Sequence, residues 1–357
     1  MPEINIRIAG NICPVYIGCP LEKIGSKMKT NTYGRKVLLL SDKNVFSLYG
    51  NRVKEALTST GKEVVDMVLV PGEKTKNFKQ LERIIGTCAE NKISRDDTLL
   101  TLGGGVISDI GGFAASIYMR GINFVVVPTT LLAQVDAAIG GKTAVNLPVG
   151  KNLVGTFYQP SFVYIDMKTL ETLSYNEMQQ GLAEIIKYGV IKSKKIFDIM
   201  EDTSRDIKSN LEFLMSESIK IKKTVVEKDE KEKKGLREIL NFGHTLGHAI
   251  EISHFPRFSH GQAVAIGMVG ESYISLCIGV CKQDTFDRIK NAVKGRKLSF
   301  SFTDINLEYA LQFMRYDKKV RQGNIRFVLP EKIGSVKTGI PLNIEEVQKI
   351  LKTLPEE

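Results

Sequence analysis

Four apolar runs in the first half of the chain constrain its fold more than any other feature. KVLLLSD (36–42) is a continuous apolar stretch ending in a turn, the pattern of a strand covered on both faces of a parallel sheet. A helical pattern follows from Asn44 to about Thr60, then the run EVVDMVLVP (63–71), a helix from about Asn77 to Asn91, and the runs DTLLTLGGG (97–105) and NFVVVPTT (123–130). Strand and helix in alternation predict an open α/β domain with a parallel, Rossmann-like sheet over residues 1–172. Ligands of such sheets sit at the carboxyl ends of the strands. There the chain collects Asp42, Gly72 with Glu73, Gly103 to Asp109, and Thr129 with Thr130.

From Asp166 onward the alternation stops. Residues 176–192, 206–230, 237–253 and 261–280 carry apolar residues three and four apart, which predicts an all-α second domain over 173–357. In MRYDKKVRQGNIRFVLP (314–330), Lys318, Lys319 and Arg321 precede a short strand, and 331–357 reads as an ordinary helical end. The most apolar long window, 263–281, contains Glu271 and several Gly and Ser, so it reads as a buried helix and not a membrane span.

All four histidines, His244, His248, His254 and His260, lie within Leu240 to Gly261. His244 and His248 are four apart and share one helical face, so both imidazoles can converge on one point. His260, after Pro256 and before Gly261, reads as a loop residue returning a third imidazole to that point. Upstream, GLAEIIKYGVI places Glu184 and Lys187 three apart beside apolar neighbours, a buried acid with a partner. Two imidazoles and a carboxylate with an open position make a catalytic zinc site, and this domain is its expected home.

The net charge of +10 raises nucleic-acid binding, but Lys and Arg are mixed with acids, as in EKDEKEKKG (227–235), and no basic stripe is interleaved with aromatics. Anionic small substrates account for the charge equally well. Five cysteines form no metal pattern and, being odd in number, no disulfide framework. The opening MPEINIRIAG has no basic region followed by an apolar core, so no signal peptide is expected, and a cytoplasmic protein without membrane or nucleic-acid partners is.

The glycines of GGGVISD (103–109) let the backbone approach a ligand, and the helix that follows offers N–H groups to a pyrophosphate, although the motif is not GxGxxG. Asp42 suits a ribose hydroxyl. PGEKTK (71–76) adds an acid and two lysines at another strand end, and Lys142 and Lys151, each following glycine, read as anion contacts.

The run from Gly103 to Pro160, then GLAEIIKYGVI, LNFGHTLGHAIE, SHGQAVAIGM and DKK followed by RFVLP, resembles the 3-dehydroquinate synthase family in order over nearly the whole chain. Other sugar-phosphate cyclases and the glycerol-dehydrogenase-like metal alcohol dehydrogenases share the architecture, but only the former share this many motifs. The resemblance implies conversion of 3-deoxy-D-arabino-heptulosonate 7-phosphate to 3-dehydroquinate and phosphate in the shikimate pathway. Oxidation by NAD, phosphate β-elimination, reduction and an intramolecular aldol step follow one another, with NAD regenerated in each turnover.

Residue by residue, the resemblance places the metal, zinc or cobalt, on Glu184, His244 and His260, which turns His248 from a ligand into a substrate or proton-relay residue and leaves His254 without a role. Dinucleotide contacts fall on Asp42, Glu73, Lys76, Gly104, Gly105, Asp109, Thr129, Thr130 and the TLET segment, Thr169, Leu170, Glu171 and Thr172, with Lys142 and Lys151 bordering them. Substrate contacts fall on Asp136, Lys142, Lys151, Asn152, Lys187, Arg237, Asn241, His248 and Lys318 or Lys319. Arg120 is expected to reach the phosphate site of a neighbouring subunit, which implies a homodimer. Arg237, Asn241 and His248 suit a carboxylated substrate. EKKGLR sets Glu232 five residues before Arg237, one more than the family pattern, an insertion expected to be absorbed at a helix start.

Overall fold

The computed structural model describes residues 3–8, 10–29, 31–298, 302, 305–314, 320, 321 and 324–355. It divides into two compact units, Met1–Ser174 with Lys222–Lys231, and Tyr175–Ile221 with Glu232–Glu357.

The first unit contains strands β1 (Glu3–Ile8), β2 (Asn11–Ile17), β3 (Lys36–Asp42), β4 (Glu63–Leu69), β5 (Thr98–Gly103), β6 (Asn123–Pro128), β7 (Lys142–Leu147), β8 (Gly150–Phe157) and β9 (Phe162–Ile165). Its helices are α1 (Ile24–Lys27), α2 (Lys43–Val45), α3 (Asn51–Thr58), α4 (Phe78–Glu90) and α5 (Gly105–Ile117). Seven strands form one sheet in the order β1-β2-β9-β6-β5-β3-β4, while β7 and β8 form a separate antiparallel hairpin. Every neighbour in the sheet is parallel except β1 with β2. The four apolar runs are the four strands β3, β4, β5 and β6, and β1, β2 and β9 extend the sheet beyond them. Along β5 every residue is buried, and along β3 all but Lys36, as strands covered on both faces require.

β4 lies on one side of β3 and β5 on the other, so the winding of the chain reverses between β3 and β5. This is the topological switch point, where an open α/β sheet leaves a crevice at its strand ends. Asp42 ends β3 and Gly103 ends β5.

The second unit holds α6 (Tyr175–Ile191), α7 (Lys194–Glu201), the first part of α8 (Ile207–Lys228), α9 (His244–Ser253), α10 (His260–Cys277), α11 (Gln283–Gly295), α12 (Leu307–Met314) and α13 (Ile344–Leu351). It is mainly helical but not all-α. β10 (Val320–Arg321), β11 (Asn324–Lys332) and β12 (Ser335–Leu342) form an antiparallel sheet. Ile325, Phe327 and Leu329 alternate into a core shared with Leu246, Ile266 and Ile274, a period of two that excludes a helix. The helical end expected over 331–357 is therefore a strand first and a helix only from Ile344.

Two more corrections concern the histidine segment. The single helix expected over 237–253 is two pieces, a 3-10 turn (Leu236–Asn241) and α9, because Gly243 takes φ +77°, a left-handed conformation that no α-helix continues. The extra residue before Arg237 is not absorbed by a helix: it falls in a turn where Glu232 and Gly235 both have positive φ, 55° and 76°. The apolar window from 263 is α10 for most of its length, and among the described residues no helix is long and apolar enough to cross a membrane.

α9 and α10 meet through glycine. A Cβ on Gly267 would lie 2.0 Å from the Gly243 carbonyl oxygen, so the helices can approach this closely only without it. Gly267→Ala must push the two helices apart, and the expected loss is about 1–3 kcal/mol of unfolding free energy, as for other overpacked cores. Urea denaturation of the variant beside the parent protein checks it; equal midpoints would contradict the close approach.

Candidate active site

Three helices of the second unit bring their ends or middles to one point. Glu184 comes from the middle of α6 and is fully buried; His244 is the first residue of α9 and His260 the first of α10. The Nε2 atoms of His244 and His260 lie 3.3 and 3.4 Å from Glu184 Oε1. That oxygen is buried and, among the described residues, receives no hydrogen bond of acceptable geometry. A tetrahedral ion with arms of about 2.0–2.1 Å has ligand-to-ligand edges of about 3.3–3.4 Å, so the donor set fits zinc or a similar divalent ion. Both rings are fixed from behind. His244 Nδ1 lies 3.1 Å from the Phe242 carbonyl oxygen and His260 Nδ1 lies 3.0 Å from Glu251 Oε2, contacts that engage each Nδ1 and turn each Nε2 toward Glu184.

His260 is not the loop residue expected from Pro256. Ser259 and Gln262 form a capping box that starts α10, and His260 occupies its first position. His248 stands one turn along α9 from His244, with ring centroids 5.2 Å apart, and 5.9 Å from His260. Helical spacing alone makes it a ligand candidate, and its partners in a second possible donor group are Glu251 and His260.

Electrostatics follow from burial. Desolvation opposes ionisation of Glu184, but Lys187 and then His244 outweigh it and hold the carboxyl well below the usual carboxylate range. Lys187, itself buried, forms an ion pair with Glu184 Oε2. Burial keeps the His244 ring below its ordinary pKa. The same desolvation acts on His260, where contacts with Glu184 and Glu251 override it and raise the ring to about 10.

Arg237 lies buried in the 3-10 turn before α9, with Glu232 Oε1 at 3.9 Å, too far for a hydrogen bond, and Asn241 ends that turn. Lys318 and Lys319 lie outside the described residues.

The first unit gathers a second group at the carboxyl ends of its strands. Gly104 caps α5 without any side-chain hydrogen bond, which leaves the N–H groups of the first turn to a ligand, and a Cβ there would lie 3.0 Å from the Thr130 methyl. Thr129 Oγ1, at the end of β6, is buried and has no hydrogen-bond partner among the described residues. A free helix start and an unsatisfied hydroxyl fit a dinucleotide. Asp42 Oδ1 accepts from the Asn44 and Val45 amides and so caps α2. Lys76 bridges the Asp109 carboxylate and the Asn152 amide oxygen, while Glu73 Oε1 accepts from Asn146 Nδ2 at 2.6 Å. Asn152, Lys142 and Lys151 belong to the β7–β8 hairpin. Asp136 pairs with Lys222 Nζ at 2.8 Å, a partner that sequence spacing does not bring out. In the TLET segment, Thr169 is buried and bonded by Gln134 Nε2 at 3.1 Å, Leu170 is buried, Glu171 is exposed, and Thr172 meets the Tyr49 hydroxyl. Arg120 sits at the other end of α5, a helix of 13 residues and thus about 20 Å long, exposed and with φ 63°.

Residues 66–180 match the family described as 3-dehydroquinate synthase N-terminal, and residues 181–320 the one described as 3-dehydroquinate synthase C-terminal. The chain belongs to the 3-dehydroquinate synthase family. It is 41% identical to the 3-dehydroquinate synthase of Caldanaerobacter subterraneus subsp. tengcongensis, over 99% of this chain and 100% of that one. To the 3-dehydroquinate synthase of Clostridium acetobutylicum it is 42% identical, over 94% and 95%. Among solved structures, a 2-deoxy-scyllo-inosose synthase complexed with carbaglucose-6-phosphate, NAD+ and Co2+ superposes with a TM-score of 0.90 at 24% identity, covering 98% of this chain and 99% of that one. The 2-epi-5-epi-valiolone synthase of Streptomyces hygroscopicus subsp. jinggangensis, with NAD+ and Zn2+ bound, gives 0.85 at 25% identity and 99% and 97% coverage. A glycerol dehydrogenase of Schizosaccharomyces pombe gives 0.62 at 15%, covering 95% and 88%.

In this 3-dehydroquinate synthase family member, the fourth histidine has a structural place. His254 Nε2 accepts from the Asn306 amide at 3.0 Å, and its Nδ1 lies 2.7 Å from Ser253 Oγ. His254→Ala hands that exposed amide to water, and the expected cost is at most about 1 kcal/mol of stability, read from urea unfolding, with catalytic rate unchanged. A large drop in turnover at full stability would move His254 into the site.

Proposed function

We propose that this chain converts 3-deoxy-D-arabino-heptulosonate 7-phosphate to 3-dehydroquinate and phosphate, using NAD at the glycine-rich turn of the first unit and zinc or cobalt at Glu184, His244 and His260. The observation that carries this reading is the approach of both imidazoles to Glu184 Oε1, at 3.3 and 3.4 Å, in a chain that matches a 3-dehydroquinate synthase over 99% of its length. When bound, the ion supplies Lewis acidity to a substrate hydroxyl, and NAD supplies a hydride acceptor that returns the hydride later in the same turnover.

The chain's own side chains do the rest. Lys187 neutralises Glu184 Oε2 and leaves Oε1 to face the imidazoles. His248, beside His244 but outside the proposed ligand set, is placed to contact substrate and to relay a proton. Arg237 presents a buried guanidinium and Asn241 an amide one residue before Phe242, a pair suited to a carboxylate. Lys142, Lys151 and Asn152 on the hairpin are the phosphate and hydroxyl contacts, and Asp136 acts together with Lys222. Phosphate elimination is assigned to no side-chain base, since the phosphate group can itself take the proton. The proposed compartment is the cytoplasm, in keeping with five free thiols, four of them buried.

Arg120, about 20 Å along α5 from the dinucleotide turn of its own chain, is proposed to serve the phosphate site of a second copy in a homodimer. Mixing Arg120→Ala with His260→Ala, each inactive alone, then restores about a quarter of parental activity, since half the dimers are mixed and each has one intact site. No recovery on mixing, or full activity in a monomer, argues against the arrangement.

The direct experiment is phosphate release from 3-deoxy-D-arabino-heptulosonate 7-phosphate with NAD and zinc, beside His260→Ala and a chelator-treated sample. Release without accumulation of NADH, abolished in both controls, is the expected result. Release from glucose 6-phosphate or sedoheptulose 7-phosphate instead would favour the inosose or valiolone cyclases, whose fold this chain shares.

A further inference from the structure

Glu271 is a fully buried carboxylate in the middle of α10, flanked by Gly270 and Ser272 in a mostly apolar helix. Burying such a group costs several kcal/mol unless donors replace its water. Its two oxygens reach the start of α9. Oε2 accepts from the Gly243 amide at 2.7 Å and Oε1 from the Leu246 amide at 3.0 Å. These are the cap and third positions of the helix, on either side of His244.

An N-cap residue usually satisfies such amides with its own Ser, Thr, Asp or Asn side chain. Position 243 cannot supply one. Its φ is +77°, and a Cβ there would lie 2.5 Å from Met268 Cγ, so the position demands glycine, which has no side chain to cap with. Glu271 does the capping from another helix, and its charge faces the positive end of the α9 dipole. The clamped residues also set the ligand. The Phe242 carbonyl, adjoining the Gly243 amide, is the group that His244 Nδ1 faces at 3.1 Å, and the Nε2 of the same ring lies 3.3 Å from Glu184.

We infer that Glu271 is a positioning residue for the metal centre: it caps α9 in place of a side chain at Gly243 and so holds His244 in ligating orientation. The inference rests on the proposed metal site at Glu184, His244 and His260. Glu271→Gln keeps the shape but sets an amide donor against one of the two backbone donors, which lets the start of α9 relax and His244 turn. The expected effect is a loss of zinc affinity of about 10- to 100-fold, the usual range for outer-shell partners of a ligating histidine.

Zinc affinity is measured by competition with a chromophoric chelator, alongside NAD affinity and the unfolding midpoint of the metal-free protein. Ser272→Ala is the control, since it removes a buried hydroxyl bonded to the Met268 carbonyl on the same helix without touching α9. The inference predicts weakened zinc binding only in the Glu271 variant, unchanged NAD affinity in both, and recovery of turnover by Glu271→Gln in excess zinc. If Glu271→Gln does not fold, Glu271→Asp, which keeps the charge and shortens the reach, carries the same comparison. Parental zinc affinity in the Glu271 variant overturns the inference, as does a loss in both variants that merely tracks their stability. A parent protein that binds no zinc overturns the metal-site reading itself.

Discussion

A carboxylate with no exposed surface organises the second unit. Glu184 is buried in α6, and a charge held there persists only if cations stand close on every open side. Lys187 answers one oxygen from the same helix, one turn on. The other oxygen is answered only by residues brought from elsewhere, the first residues of α9 and α10. The packing of three helices is thereby tied to one carboxylate. Glycines 243 and 267 permit the approach of α9 and α10, and the Ser259–Gln262 capping box fixes where α10 begins.

The first unit leaves backbone N–H groups open at its strand ends, a setting suited to a polyanion. The reversal of winding between β3 and β5 opens the strand ends, and the glycine cap of α5 exposes N–H groups there. Lys76 bridges Asp109 and Asn152 beside that helix start. Glycine at 104 is thus explained by closeness to Thr130 and by the need for an uncapped helix start.

Much of this is legible in the chain. The runs at 36–42, 97–105 and 123–130 read as strands because burial on both faces makes their centres continuously apolar, while 63–71, the partly exposed edge strand, reads as one from its β-branched residues. β10 to β12 do not read as a sheet, because Asn324 to Leu342 contains Pro330, Gly334 and Gly339 and register shifts that blur the alternation. The histidine site shows the limit more sharply. A spacing of four says that His244 and His248 share a face, but nothing in periodicity says on which side of His244 the carboxylate of a different helix will stand. The family resemblance makes that choice, and the structure sets His244 and His260 against Glu184 with His248 beside them. Glu251, three residues after His248, escapes a reading by spacing, and Glu271 reads there only as a charge that rules out a membrane span. Both carry a usable signal, an acid inside a helix whose neighbours are apolar or ligating.

Those two acids explain how the site can be ordered before any ion arrives. Each histidine facing Glu184 is held at two points, its backbone and the far nitrogen of its ring. For His260 these are the capped first turn of α10 and Glu251; for His244 they are the first turn of α9, bonded to Glu271, and the Phe242 carbonyl. With the backbone and Nδ1 both fixed, each ring has one orientation left, and in it Nε2 points at Glu184. An ion entering the proposed site would not have to reorganise the rings, so the site would select by the spacing of its donors. The same rigidity holds His248, one turn farther along α9, beside His244 and outside the proposed donor set.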